Sequence, residues 1–168
     1  MNHSESDHSG ALLLLLQERP DIPVYCSAAG KEMLSIACPN MANPIVVEDG
    51  SSITIGNFVF SFTYTPHLHW ADNMVTYLEN EHILFSNDLF GQSLGAEIPL
   101  DKYFTAESIL DATKAYFETV FLSAPAEALS VVPRIIAANP NMVATGHGVV
   151  LQQHLTKVFD YYQSMCKV

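Results

Sequence analysis

The first eight residues of the sequence include two histidines and two carboxylates, His3, Glu5, Asp7 and His8. Imidazole nitrogens and carboxylate oxygens are common metal ligands. At alternate positions of an extended or looped backbone they can turn toward one centre, while the adjacent Asp7 and His8 can face a second. A solvated polar N-terminus is the other interpretation, because chain termini are usually mobile. The run by itself leaves both interpretations open.

Three further ligand-type residues follow predicted strands. His69 comes shortly after an alternating aromatic strand at Phe58–Tyr64, and Asp88 ends the strand Ile83–Asn87. His147 lies between two glycines after a short strand at 142–144. Loops at one end of a sheet are where sites are usually assembled. We therefore expect these three residues to join the N-terminal cluster.

The elements that must position these residues can be predicted from hydropathy and capping signals. Ser9 is expected to cap a helix over 10–17, whose leucine run at 12–16 predicts a buried core helix. A strand at 23–26 and a helix at 28–36 capped by Ser27 form one β/α unit, followed by a loop over 38–43 around Pro39. Strands at 45–47 and 53–55 are expected to form a hairpin at Asp49-Gly50.

The second half of the chain changes from strand to helix periodicity. After a strand at Met74–Leu78, Thr105 is expected to cap a helix through 121, and further helices are expected over 125–138 and 149–165. The aromatic face of Phe58–Tyr64 is expected to be buried. Because no repeat or linker interrupts the pattern, we expect one domain over residues 1–168.

Composition restricts the classes of partner. The chain has 168 residues, 49% of them hydrophobic and 15% charged, which indicates a globular protein. Seven basic against 18 acidic residues give a net charge of -11, which argues against nucleic acid and anionic membranes as partners. Three widely spaced cysteines without a CxxC pair favour reduced thiols and a cytoplasmic location. The leucine run is too short to span a bilayer.

Four motifs, in order, carry a resemblance to a known family. They are His3-x-Glu5-x-Asp7-His8-Ser9-Gly10, Leu68-His69-Trp70-Ala71-Asp72-Asn73-Met74, Leu84-Phe85-Ser86-Asn87-Asp88-Leu89-Phe90-Gly91 and Gly146-His147-Gly148. In these motifs the sequence closely resembles the metallo-β-lactamase-like domain of flavodiiron proteins, over essentially its whole length. The resemblance implies an α/β (α+β) fold, the αββα sandwich, and two Fe ions as cofactor. In the wider metallo-β-lactamase superfamily, the position of Glu5 in the first motif is usually a histidine, and the site binds two zinc ions. The harder carboxylate ligand of Glu5 favours iron instead.

The resemblance also implies a role for each residue. His3, Glu5 and His69 would hold one iron, Asp7, His8 and His147 would hold the other, and Asp88 would bridge them at the catalytic position. Trp70, Asp72 and Ser86 are candidates to orient these ligands. His67 is expected to be a loop or supporting residue, and His82 and His154 are expected to face solvent.

The sequence departs from the family's pattern at both ends. Family members have strands before the His3 loop, so we expect an incomplete first sheet, exposed apolar edges, self-association as a homo-oligomer and a less preorganised site. We expect no FMN site in this sequence, so electrons would have to come from a separate flavoprotein or rubredoxin.

The implied function is reduction of O2 or NO, and three alternatives stay open. A diiron site could bind O2 as a sensor without turnover. A site with zinc as substitute could be a hydrolase, although Glu5 argues against it. Finally, a chain without its supporting strands could bind no metal.

Overall fold

The computed structural model describes residues 1–37 and 44–166, so the predicted loop at 38–43 lies outside the described residues. The helices in chain order are α1 (Ser6–Ser9), α2 (Leu12–Glu18), α3 (Ala28–Ala37), α4 (Ala106–Val120), α5 (Ala126–Leu129), α6 (Val132–Ala137) and α7 (Leu155–Met165). The strands are β1 (Tyr25–Cys26), β2 (Ile45–Val46), β3 (Ser52–Ile55), β4 (Phe58–Tyr64), β5 (Met74–Leu78), β6 (Ile83–Asn87) and β7 (Met142–Thr145).

The strands form two sheets. Strands β1 and β2 pair in parallel, and β3 to β7 form a five-stranded sheet in sequential order. Pairing in the larger sheet is antiparallel except between β6 and β7, which are parallel. The C-terminal ends of β6 and β7 therefore lie side by side, and the turns that follow them carry Asp88 and His147.

Alternation along the strands builds the layers. In β1 Tyr25 packs toward the cluster of Val47, Phe62 and Met74 between the sheets, while Cys26 packs against Leu34 of α3. On the other face of the larger sheet, the main core joins strand residues to α4, α6 and α7; it includes Val75, Leu84, Val143, Ile109, Phe117, Ile135 and Val158. The order helix, sheet, sheet, helix confirms the predicted αββα sandwich.

The N-terminal helix differs from the prediction. Two helices, α1 and α2, replace the expected single one, and Ser9 does not cap either, because its hydroxyl donates to the Ser4 carbonyl at 2.7 Å. The predicted buried core helix at 12–16 is also wrong: Leu13, Leu14 and Leu15 are 43%, 64% and 48% exposed. The first residue of the run, Leu12, does pack against the cluster of Cys26 and Leu34.

The predicted hairpin is wrong as well. Gly50 does make a turn with φ +74°, but the turn joins β2 and β3, which belong to different sheets. Strand β3 instead forms a hairpin with β4 across Gly56, whose φ is +61°.

The aromatic face of β4, which was expected to be buried, is buried only in part. Phe62 is 3% exposed, whereas Phe58, at the start of the strand, is 46% exposed.

Of the three helices predicted after residue 105, the first is confirmed and the other two differ from the prediction. Thr105 caps α4 as expected, accepting from Ser108 N at 3.2 Å, and Ser27 Oγ accepts from Gly30 N at 3.0 Å in α3. The segment predicted as one helix at 125–138 is divided into α5 and α6. The final helix begins at Leu155 and not at 149, because Val150 and Leu151 form β-bridges with Leu100 and Val143.

Within the described residues, no helix combines the length and apolar character needed to cross a bilayer.

Candidate metal centre

The N-terminal segment is fixed to both sheets before it reaches its first candidate metal ligand, His3. The Met1 amino group donates to the Tyr25 carbonyl at 2.6 Å, and the Asn2 carbonyl accepts from Met74 N at 3.0 Å. His3 is therefore only 1% exposed. Asp7 and His8 follow in helix α1, and His8 Nε2 lies 3.0 Å from Asp88 Oδ1.

The structure brings His3, Glu5, His69 and Asp88 into one group, with ligand atoms within 4.8 Å of one another. Glu5 Oε2 lies 3.1 Å from His3 Nε2 and 3.0 Å from His69 Nε2. Asp88 Oδ2 lies 3.5 Å from each of the same two nitrogens. Four donors thus surround one point at the end of β6.

A second group contains Asp7, His8 and His147, again within 4.8 Å. Asp7 Oδ2 lies 3.4 Å from His8 Nε2 and 3.1 Å from His147 Nε2. The other oxygen of Asp88, Oδ1, lies 3.0 Å from His8 Nε2 and 3.2 Å from His147 Nε2. The buried Asp88 carboxylate therefore presents one oxygen to each group.

The donor spacing fits bound metal ions. Bonds of about 2.1 Å place neighbouring donors about 3.0 Å apart at right angles and about 3.4 Å apart at tetrahedral angles, close to the separations found here. Three carboxylates also meet in this space, and in the described part of the chain their ion-pair partners are histidines alone. Divalent cations would offset that charge, so the residues fit the two-metal site that the sequence predicts.

Asp72 orients the buried end of this site. The Nδ1 of His3 donates to Asp72 Oδ1 at 3.0 Å, and Ser4 N donates to Asp72 Oδ2 at 2.7 Å. Burial would raise the pKa of Asp72, but the hydrogen bonds from His3 and Ser4 hold it below its ordinary value. Burial conversely lowers the pKa of His3, and the hydrogen bond and charge of Asp72 more than reverse this. With Nδ1 bound to Asp72, Nε2 is the nitrogen that faces the donor group.

The other predicted supporting residues differ in position. The Trp70 ring lies 5.0 Å from the His3 ring and 5.9 Å from the His69 ring, so Trp70 supports both histidines. Among the described residues, the Ser86 hydroxyl forms no hydrogen bond to a donor side chain. Its hydroxyl donates to the Leu89 carbonyl at 2.6 Å and stabilises the turn that carries Asp88.

The remaining histidines lie outside both donor groups. His67 and His82 are exposed loop residues with positive φ. His154 is not on a helix facing solvent as predicted. It immediately precedes α7, is half-buried, and its Nε2 lies 2.9 Å from the Phe104 carbonyl oxygen.

Tyr116 is a site residue that the sequence did not reveal. Its hydroxyl donates to Asp88 Oδ1 at 2.9 Å, and its ring lies 5.5 Å from the His147 ring. Tyr116 lies on the buried face of α4, where the sequence pattern predicts a core residue and does not indicate a site residue. The available signal was its hydroxyl, since a buried tyrosine usually requires a hydrogen-bond partner.

Comparisons with known proteins show similarity in both sequence and fold. The profile of the ODP family beta lactamase matches residues 1–148. The anaerobic nitric oxide reductase flavorubredoxin of Vibrio vulnificus is 32% identical over 166 residues, covering 96% of this chain and 34% of that protein. A mutant flavo di-iron protein from Thermotoga maritima has a TM-score of 0.88 and 32% identity, over 99% of this chain and 42% of that one.

A more distant structure shares the fold. The rubredoxin oxygen:oxidoreductase from Desulfovibrio gigas has a TM-score of 0.88 at 23% identity, over 99% of this chain and 43% of that one. The chain spans about a third of the flavorubredoxin. The family profile's match, residues 1–148, includes all seven candidate donor residues of this chain. The chain therefore belongs to the ODP family of beta-lactamase-like domains, in the form found in flavodiiron proteins.

Proposed function

We propose that this chain is the diiron module of a reductase that converts O2 to water or NO to nitrous oxide. His3, Glu5 and His69 would hold one iron, and Asp7, His8 and His147 would hold the other, with Asp88 bridging. The observation that carries the proposal is the placement of Asp88, whose Oδ2 and Oδ1 face different donor groups. When bound, the irons would supply the redox chemistry that no side chain here provides.

The donor set favours iron over zinc. Three carboxylates and four imidazoles are harder on average than the histidine-rich sets typical of zinc hydrolases, and Glu5 contributes one of those carboxylates. The relative from Vibrio vulnificus, which is named a nitric oxide reductase, supports the same class of reaction. Its name also refers to a flavin and a rubredoxin, which supports these two redox groups as the source of electrons.

Side chains around the donors would hold the site ready for that chemistry. Asp72 keeps the His3 ring in place through Nδ1, and Trp70 packs against both His3 and His69. Burial and the nearby Asp88 charge raise the pKa of Tyr116, so its hydroxyl keeps its proton and goes on donating to Asp88 Oδ1. On the outer side Asp7 and His147 are 47% and 37% exposed, which leaves an opening for a diatomic molecule.

The test is turnover by the iron-loaded protein. Chain loaded anaerobically with Fe²⁺ would be mixed with a reduced rubredoxin and its flavin reductase, and O2 and NO would be followed at electrodes. We expect many molecules consumed per chain. Uptake that stops at one molecule per site would indicate a sensor, and ester or thioester cleavage by the zinc form would indicate a hydrolase; either result contradicts the proposal.

We also propose that the chain self-associates. Among the described residues, strand β2 pairs with β1 alone, and its Ile45 and Val46 are 44% and 40% exposed. Unpaired apolar edges favour association. Sedimentation equilibrium would measure the mass, and a monomer across the micromolar range would contradict this proposal.

A further inference from the structure

We propose that Gln92 is a positioning residue that ties the turn carrying Asp88 to the turn carrying His147 and so sets the second donor group. The inference rests on the proposed metal function. Gln92 lies four residues after Asp88 and is 1% exposed. It contacts no donor side chain in the hydrogen bonds described, so its effect would pass through the main chain.

Both amide atoms of Gln92 bond to main-chain groups in the two turns. Its Oε1 accepts from Val149 N at 2.7 Å, and its Nε2 donates to the Phe90 carbonyl. Its own backbone N donates to the His147 carbonyl at 3.2 Å. The side chain thus spans from the turn after β6 to the turn after β7.

His147 lies between two such connections. On its N-terminal side Gly146 N donates to the Asn87 carbonyl at 2.7 Å, which joins the same two turns through the backbone. Gln92 provides the connection on the C-terminal side. We expect these two connections together to hold His147 Nε2 at its 3.2 Å distance from Asp88 Oδ1.

The lack of a side chain at Gly148 leaves the space that the Gln92 amide occupies. A Cβ at Gly148 would lie 2.3 Å from Gln92 Oε1 and 2.8 Å from its Cβ, and the glycine has φ +90°. Residues other than glycine rarely adopt that backbone conformation. Gly148 and Gln92 therefore form one complementary contact, and a change in either should shift His147.

Gln92→Met tests the inference because it keeps the length of the side chain and removes both hydrogen bonds. The probe is Co²⁺ alone, added anaerobically to the metal-free chain, with binding read from its visible absorption. We expect the first equivalent to bind as in the unmodified chain. The second should bind 10- to 100-fold more weakly, the range typical for loss of a group that orients a ligand.

Thr113→Val is the matched control. The Thr113 side chain is fully buried and its hydroxyl donates to the Ile109 carbonyl at 2.8 Å, within α4 and outside both turns. This variant also loses a buried hydrogen bond, so it reports general destabilisation. Both Co²⁺ equivalents should bind it normally. If Gln92→Met binds both equivalents normally too, the inference is overturned.

A metal-free measurement separates this inference from the proposed function. Amide exchange at Val149 should accelerate at least about tenfold in Gln92→Met, because its acceptor is gone, while Val143 and Leu151, paired with each other at 2.9 Å, should stay protected. Unchanged exchange at Val149 would overturn the inference. Failure of the unmodified chain to bind Co²⁺ would instead contradict the proposed function. Should Gln92→Met not fold, Gly148→Ala is expected to weaken the second equivalent in the same way, and normal binding there would also overturn the inference.

Discussion

The Tyr116 hydroxyl donates a hydrogen bond to Oδ1 of Asp88 across 2.9 Å, joining the buried face of α4 to the end of β6. This is the same carboxylate oxygen that faces His8 and His147. Burial, then the Asp88 charge, raise the pKa of Tyr116, so the phenol stays protonated throughout the working pH range. This hydrogen bond should therefore stabilise the folded chain as well as hold the Asp88 carboxylate in place.

Tyr116→Phe tests that contribution. A buried hydrogen bond to a charged group is worth about 1.5–3 kcal/mol, so we expect the metal-free variant to lose about 2 kcal/mol of unfolding free energy, measured by urea denaturation. Tyr103→Phe is the control, because the Tyr103 side chain is 59% exposed and the change should be nearly neutral. Equal stability of Tyr116→Phe and the unmodified chain would show that the bond contributes nothing.

Gly146→Ala should disturb the second donor group selectively. An added Cβ would lie 2.7 Å from His8 Cε1 and 3.1 Å from its Nδ1, so the imidazole would have to move. We expect the second metal equivalent to bind 10- to 100-fold more weakly in a Co²⁺ titration. Gly95→Ala is the matched control, since nothing lies within 4 Å of its added Cβ. The same second-site affinity in both variants would contradict the packing described here.

The sequence predicted the strands and donors best where the signal was local. Phe58–Tyr64, Met74–Leu78 and Ile83–Asn87 have the predicted bounds, because apolar runs between turn residues specify such strands directly. The donors His3, Glu5, Asp7 and His8 lie within six consecutive residues, so their types and spacing were visible without a fold. The structure brings all seven predicted donors together, and their role as ligands stays a prediction.

The errors came from choices of partner that no local pattern encodes. The Asp49-Gly50 turn was recognised, but whether β2 pairs with β3 or with β1 depends on the layers around it. The leucines of α2 were expected in a core, and their exposure depends on what packs over them. Tyr116 and Gln92 were missed for the same reason, since their contacts join residues far apart in the chain.

The Asp49–Arg134 pair predicts a pH dependence of stability. Arg134 Nη2 lies 2.7 Å from Asp49 Oδ1, and this hydrogen bond holds the pKa of Asp49 below its ordinary value of 3.8, against the smaller effect of burial. A carboxyl with a lowered pKa in the folded state stabilises above its ordinary pKa and loses this effect as the pH falls through the lowered value.

Asp49→Asn should therefore be less stable at neutral pH, by no more than about 1 kcal/mol because the pair is partly exposed. The difference should shrink as the pH falls below 4, as followed by urea midpoints. Glu97→Gln is the control, because Glu97 is exposed and has no ion pair among the described residues, so its effect on stability should be near zero at every pH. A difference for Asp49→Asn that does not change with pH would contradict the assignment.

Asp88→Ala should remove both metals, because a bridging carboxylate serves both donor groups. His82→Ala should leave metal content unchanged, since His82 is exposed and its Nδ1 lies 2.9 Å from the Tyr77 hydroxyl. Both would be measured by elemental analysis after anaerobic loading, with circular dichroism to verify folding. A folded Asp88→Ala variant with near-normal metal would remove Asp88 from the site, and loss of metal in His82→Ala would mean that the donors are wrongly assigned.

The most direct test of the central claim is the iron content per chain after anaerobic loading with Fe²⁺ and removal of unbound metal. Seven donors arranged around two points with a shared carboxylate predict close to two irons per folded chain. A folded chain that retains no iron would contradict the claim that these residues form a diiron site.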